Sequence, residues 1–311
     1  MPKDYYIQPD APDPVLSAEQ VLTYVRQHVP EAKAMTGVDE SGGEARTYTI
    51  DADLIFKTQR PQQLRPRTSL KKEVLFLNQL EGVKGLNVPK VIGYGHPEPM
   101  IEYTLMTRMP GVAVRNAKLA GEARQEAMKT LGRMLRRVHS IPQTPLRESG
   151  LFFGDQSPVD FHWRMGSVFD DVAEMIKKDG KTWNYPLSPE AIGRRLMATL
   201  PDVEVKEIVA LHSNPGPEHT FVDPASGKLT GIIDFGDAYF SHPVTDLRRY
   251  RAPEDRRLVL AGYLESGPVS DDFMAVWHVG CAIADIVALA SSPEHQSAAG
   301  AELDLILKEI G

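Results

Sequence analysis

The amino-acid sequence predicts an α+β protein of two lobes, a small β-rich N-terminal lobe and a larger, mainly helical C-terminal lobe. Three observations carry this. Short apolar and β-branched runs, separated by polar and Gly-containing breaks, crowd residues 34 to 107. A Met-Pro-Gly break at 109–111 ends that pattern. Beyond it, EARQEAMKTLGRMLRRVHSIP repeats apolar residues at helical spacing and stops at Pro142.

In chain order, residues 1–15 are rich in Pro and Asp and form an irregular lead-in. The N-terminal lobe is placed at 16–108. Ser17 caps a helix over SAEQVLTYVRQHV, with Glu19 and Gln20 in its first turn. AMTGVDESGGEARTYTI reads as two β segments joined by a polar loop, and ADLIFKTQ as a strand ending on Lys57, so residues 34–58 form a small antiparallel sheet. SLKKEVLFLNQLEG places Leu70, Val74, Leu77 and Leu80 on one helical face. VPKVIGYG and MIEYTLMTRMPG add two strands. The C-terminal lobe is placed at 109–311. There Thr220–Val222 and Leu229–Ile233 flank the turn DPASGK as a β-hairpin, with helical segments before and after.

Composition narrows the function. Hydrophobic residues make up 42% and charged residues 25% of 311, with a formal charge of −7. That balance is ordinary for a globular protein, and no basic block suits phosphate neutralisation along a nucleic acid. A nucleic-acid partner is therefore not expected. The single cysteine, Cys281, allows no internal disulfide or CxxC metal pair and reads as a small core residue. No run of 18 apolar residues and no signal-like N-terminus is visible, so a cytoplasmic protein without membrane attachment is expected.

Chemistry concentrates in a few places. Lys57 ends a strand and Glu73 lies on the next helix. Asp234 follows the apolar Gly-Ile-Ile, where an unpaired carboxylate would be costly to bury. His212-Ser213-Asn214 forms a polar knot at the other end of the hairpin. Phosphoryl transfer needs a cation on the phosphates, an acid holding that cation, metal-binding oxygens and a group orienting the acceptor hydroxyl. This order of elements supplies candidates for each.

The motifs then resemble those of the aminoglycoside-phosphotransferase family of small-molecule kinases, which share the bilobal protein-kinase-like fold. HSNPGPEH stands where that family has H-G-D-x-x-x-x-N, and GIIDFGDA where it has its I-D-F segment. SHPVTDL, LRRVHSIP, VPKVIGYG, LMTRMPG and KKEVLFLNQL match further family segments, in order, over about residues 35 to 250. The resemblance implies ATP or GTP as co-substrate, Mg²⁺ as cofactor and a small-molecule hydroxyl as acceptor, aminoglycoside-like, macrolide-like or a related metabolite. It implies that Lys57 meets the nucleotide phosphates and Glu73 pairs with it. Ser41, Gly42 and Gly43 would lie over the phosphates, and the backbone of Met106, Thr107, Arg108 and Met109 would meet the purine. Asp234 would bind the metal with His219, which replaces the family's Asn as in macrolide phosphotransferases. His212 and Asn214 fall in the catalytic loop, and Asp246 would brace it. The acceptor would sit against residues 150–200 and the helices after 250.

Asn214 occupies the position of the family's catalytic Asp. An amide oxygen accepts a hydrogen bond but cannot take a proton. Three readings stay open: a variant in which Asp was replaced by Asn, a nucleotide-binding pseudokinase acting as a sensor or interaction module, and a slow kinase relying on positioning. The maintenance of Lys57, Glu73, Asp234 and Asp246 favours the first.

Overall fold

The structure is a computed structural model that describes residues 13–40, 44–60, 70–180 and 183–310. Its N-terminal region is a five-stranded antiparallel sheet of order β1-β2-β3-β5-β4, with β1 Met35–Asp39, β2 Ala45–Ile50, β3 Leu54–Gln59, β4 Val91–Glu98 and β5 Ile101–Thr107. Alternate residues of β2 (Arg46, Tyr48, Ile50) are buried, as expected of a sheet with one wet face. Helix α1, Ala18–Val25, starts at the Ser17 capping box, with Gln20 closing it from the third position. The helix is shorter than the 17–29 expected, because the backbone tightens into turns after Arg26. Tyr48, Ile50, Phe56, Tyr103 and Leu105 join Val21 and Val25 in one apolar cluster under this sheet.

Helix α2, Leu70–Leu80, crosses to the other side. Phe76, Leu77 and Leu80 belong to the large core of the C-terminal region. The Phe76 ring meets Phe152 and Phe235 edge-on, with centroids 5.7 and 5.2 Å apart. The buried Lys72 donates to the Ala238 carbonyl at 2.9 Å. This helix thus ties the sheet region to the segment that carries Asp234.

The C-terminal region holds two small antiparallel sheets. One runs β6-β8-β9 (Val112–Ala113, Thr220–Val222, Leu229–Ile232), and the other pairs β7, Val209–Leu211, with β10, Tyr239–Ser241. Around them lie α3 Gly121–His139, α4 Thr144–Glu148, α5 Pro158–Lys178, α6 Pro189–Met197, α7 Val244–Leu247, α8 Pro253–Leu264, α9 Phe273–Ser291 and α10 Gln296–Glu309. The backbones of α3 and α8 approach closely at Gly132 and Gly262, where a Cβ would lie 1.9 Å from Val259 O and Lys129 O respectively. By length and composition α9 could cross a membrane, but it is a core helix, with 72% of its apolar window buried. Cys281 is buried within it.

Gly111 connects the two regions. Its φ of +92° is accessible to glycine without strain, and a Cβ there would lie 2.2 Å from Val222 O, so the connecting strand can press directly onto the hairpin.

Candidate active site

Lys57 lies within β3, two residues before its end, and pairs across the sheet with Thr47 and Thr104. Its ammonium donates to Glu73 Oε2 at 2.9 Å, Glu73 Oε1 at 3.2 Å and Asp234 Oδ1 at 2.7 Å. The two carboxylates differ in setting: the Glu73 side chain is 1% exposed and that of Asp234 is 40% exposed. Glu73 Oε1 also accepts from the Phe235 N–H at 3.2 Å. Burial alone would depress the Lys57 pKa, but the charges of Asp234 and then Glu73 outweigh it and hold it above the ordinary value. Burial also opposes ionisation of Asp234, yet the Lys57 charge keeps that carboxyl well below the usual range. For Glu73 burial wins, and its pKa is raised.

Asp234 stands two residues past the end of β9 with φ +71°, a left-handed conformation uncommon outside glycine. Ser213, in the facing loop, has φ +79°. Two non-glycine residues held this way on opposite sides of one cleft mark strain that surrounding contacts must support. Those contacts are visible. Asp246 accepts from the His212 N–H and the Ser213 N–H, both at 2.8 Å, and from His139 Nε2 at 3.0 Å. Asp246 is buried, and His139 in turn meets the Tyr263 hydroxyl at 3.2 Å. The loop backbone therefore hangs on one carboxylate.

His212 is fully buried and uses both ring nitrogens on backbone. Nε2 donates to the Ile233 carbonyl at 2.9 Å and Nδ1 accepts from the Asn214 N–H at 3.3 Å. A carbonyl can only accept, which assigns the proton to Nε2. Burial pushes its pKa down to about 4, so the ring is neutral near pH 7 and joins the two loops as a spacer. By the same reasoning His219 Nδ1 donates to the Asn214 carbonyl at 2.8 Å. Its Nε2 then faces Asp234 Oδ2 at 3.4 Å. Asn214 turns its side-chain oxygen to Arg249, whose Nη2 donates to it at 2.9 Å.

Lys57, Glu73, Asp234, His219, His212 and Asn214 are therefore linked in one cleft, with Asp246 behind the loop. Met106 and Met109 are buried, and the Thr107 and Arg108 N–H groups already donate to Lys90 O and Asp53 O at 2.9 and 2.7 Å. Ser41, Gly42 and Gly43 lie outside the described residues. Within the 150–200 segment expected to meet the acceptor, Phe152 and Phe161 are core residues, whereas Trp163 is 74% exposed. Asp170, Asp171 and Glu174 lie on the exposed side of α5. Sequence reasoning did not single out Lys72 or Arg249. Both sit in charged runs (KKE and LRRYR) that look like solvated faces; the fold buries Lys72 and lays the exposed Arg249 against Asn214.

The phosphotransferase enzyme family (APH) model matches residues 38–266. Among solved structures, the GDP and kanamycin complex of APH(2")-IIia is 17% identical, with 93% of this chain and 97% of that one covered at a TM-score of 0.60. The streptomycin–ATP complex of APH(2")-IIa is 16% identical, covering 96% and 99% at 0.58. The macrolide 2'-phosphotransferase MphH from Brachybacterium faecium is 18% identical, covering 91% and 97% at 0.56. At these identities the likeness is one of fold, that of protein-kinase-like antibiotic phosphotransferases. The family-model match spans most of the chain, and on it this chain belongs to the phosphotransferase enzyme (APH) family.

Proposed function

We propose that the chain transfers the γ-phosphoryl group of ATP or GTP to a hydroxyl of a small molecule, with Asn214 at the position that orients that hydroxyl. The observation that carries the reading is the triad Lys57–Glu73–Asp234, in which one ammonium is held by two carboxylates from different parts of the chain. A cation fixed in this way can meet phosphate oxygens without having to be ordered first. The purine would lie against Met106–Met109, and Ser41, Gly42 and Gly43 over the phosphates.

Mg²⁺ suits the Asp234 carboxylate, while the His219 imidazole is a less usual ligand for it. Asp234 Oδ2 and His219 Nε2 are neighbours, and with Nδ1 protonated the imidazole presents a lone pair to the same space. Among the described residues no group of three or more His, Cys, Asp or Glu side chains is arranged to hold a metal. Mg²⁺ usually takes only one or two protein carboxylates and fills its remaining positions with water and substrate phosphates. When bound it would neutralise charge on the phosphates. Lys57 would hold the phosphates, and Asp246 would keep the Asn214 loop in place. The acceptor oxygen attacks the γ-phosphorus, the bond from phosphorus to the β–γ bridging oxygen breaks, and the nucleoside diphosphate leaves. The hydroxyl proton passes to water or to the transferred phosphate, since an amide cannot take it.

The same amide favours a second reading, a nucleotide-binding pseudokinase. Asn214→Asp separates the two. Phosphotransfer by this variant to a hydroxyl compound from an antibiotic and metabolite panel, at a rate roughly 10²-fold or more above the parent chain, supports the enzyme. Nucleotide binding with no transfer to any acceptor and no nucleotide hydrolysis supports the pseudokinase.

A further inference from the structure

A second charged cluster lies beside the loop that carries Asn214. Helix α7 runs into Leu247-Arg248-Arg249-Tyr250-Arg251. Arg249 is exposed and donates to Asn214 Oδ1. Among the described residues, none of Arg248, Arg249 and Arg251 forms an ion pair with a carboxylate. Arg248 is the most constrained. Its Nε is buried and has no hydrogen-bond partner. Its stem lies against α9 where Gly280 makes room: a Cβ there would stand 3.2 Å from Arg248 Cδ and 2.5 Å from Val244 Cγ1. Burial, and then the Arg249 charge, pull its pKa down to about 10. Burial followed by Arg249 and Arg256 also lowers that of Arg251. Arg164 of α5 adds positive charge next to Arg248 but is itself held by Asp155 and Ser241. Tyr239 and Glu218 face the cluster, neither within ion-pair distance.

A desolvated guanidinium with no acid beside it is costly, and an unsatisfied buried donor implies a missing partner. Asn214 adds to this. A guanidinium only donates, so the amide atom facing Arg249 is the oxygen, and the NH₂ group is left as the outward donor. Arginine forks next to an amide NH₂ make a surface rich in donors, which suits carboxylate or phosphate oxygens and disfavours an ammonium.

We infer that the acceptor carries an anionic group, a carboxylate or a phosphate ester, which docks against Arg248, Arg249 and Arg251 beside Asn214. This rests on the phosphotransferase reading and names its acceptor class: a hydroxyl compound bearing negative charge, as opposed to a polyamine sugar.

The test uses the full chain saturated with MgADP, so that the nucleotide phosphates are already in place. Sodium orthophosphate and sodium acetate are titrated separately, against sodium chloride at matched ionic strength, and the thermal unfolding midpoint is read. The inference expects a saturable rise with at least one of them. It expects at least tenfold weaker apparent affinity in Arg249→Gln and unchanged affinity in Arg194→Gln, an exposed arginine of α6. A response to orthophosphate alone assigns a phosphate ester, and a response to acetate assigns a carboxylate. No saturable rise above sodium chloride, or a rise indifferent to Arg249→Gln, overturns the inference. Failure to bind MgADP at the outset would overturn the phosphotransferase reading and this inference with it. Binding of MgADP without an anion response overturns the inference alone.

Discussion

Lys57→Met removes the one cation shared by Glu73 and Asp234. The two carboxylates are not equally affected. Asp234 is 40% exposed and can turn to water, so most of the cost falls on Glu73, whose side chain is 1% exposed. Removing one partner of a buried ion pair costs roughly 3–5 kcal/mol, because a buried charge is left uncompensated. The penalty depends on pH with a definite sign. The folded-state pKa of Glu73 is already raised by burial and rises further without Lys57, while its unfolded value stays near about 4.3. A group with a raised folded pKa contributes most stability below its unfolded pKa and loses that contribution as pH rises through the folded value. Relative to the parent chain, Lys57→Met is therefore weakest at pH 8 and recovers towards pH 5, by up to about 1.4 kcal/mol per pH unit where Glu73 takes up a proton. Urea unfolding followed by the fluorescence of Trp163, Trp183 and Trp277 measures this at both pH values. The double variant Lys57→Met/Glu73→Gln removes both charges and recovers most of the loss. A Lys57→Met penalty below about 1 kcal/mol, or one equal at pH 5 and pH 8, would show that Lys57 does not compensate a buried Glu73 charge.

Two further variants probe the loop. Asp246→Asn leaves the amide nitrogen facing one of three donors (His212 N, Ser213 N, His139 Nε2), which costs about 1–3 kcal/mol and lowers the thermal midpoint by several degrees in calorimetry. An unchanged midpoint would show that the loop does not hang on Asp246. Ser213→Gly relieves a φ of +79°; its larger unfolded-state entropy offsets part of that gain, leaving about 0.5–1 kcal/mol of added stability in urea unfolding, whereas Ser213→Val lowers stability.

Much of the architecture is legible in the sequence because it is local. The hairpin of β8 and β9 follows from two apolar runs around a turn, and the observed strand ends one residue short of the expected Ile233. α2 and α3 follow from helical spacing, and Ser17 from its capping chemistry. The pairing of β7 with β10 is not legible, since each strand is three residues long and they lie 28 positions apart in sequence at Leu211 and Tyr239. Three residues cannot display a period. At the site, Lys57, Glu73 and Asp234 stand out through their order along the chain, and the structure places them in one ion cluster. The left-handed backbone at Ser213 and Asp234 has no signal in residue type, because neither is glycine. The turning of Asn214 towards Arg249 depends on a tertiary contact 35 residues away, and LRRYR by itself reads as a solvated charge run.

On the proposed function, Asp234, Lys57 and Glu73 form a nucleotide-phosphate site that works with Mg²⁺. Calorimetric titration of ATP into the parent chain and into Asp234→Asn, each with and without Mg²⁺, tests it most directly. Mg²⁺-enhanced binding is expected of the parent chain, with a loss of at least tenfold, about 1.4 kcal/mol, in Asp234→Asn. Equal affinities in the two proteins, with Mg²⁺ making no difference to either, would contradict it.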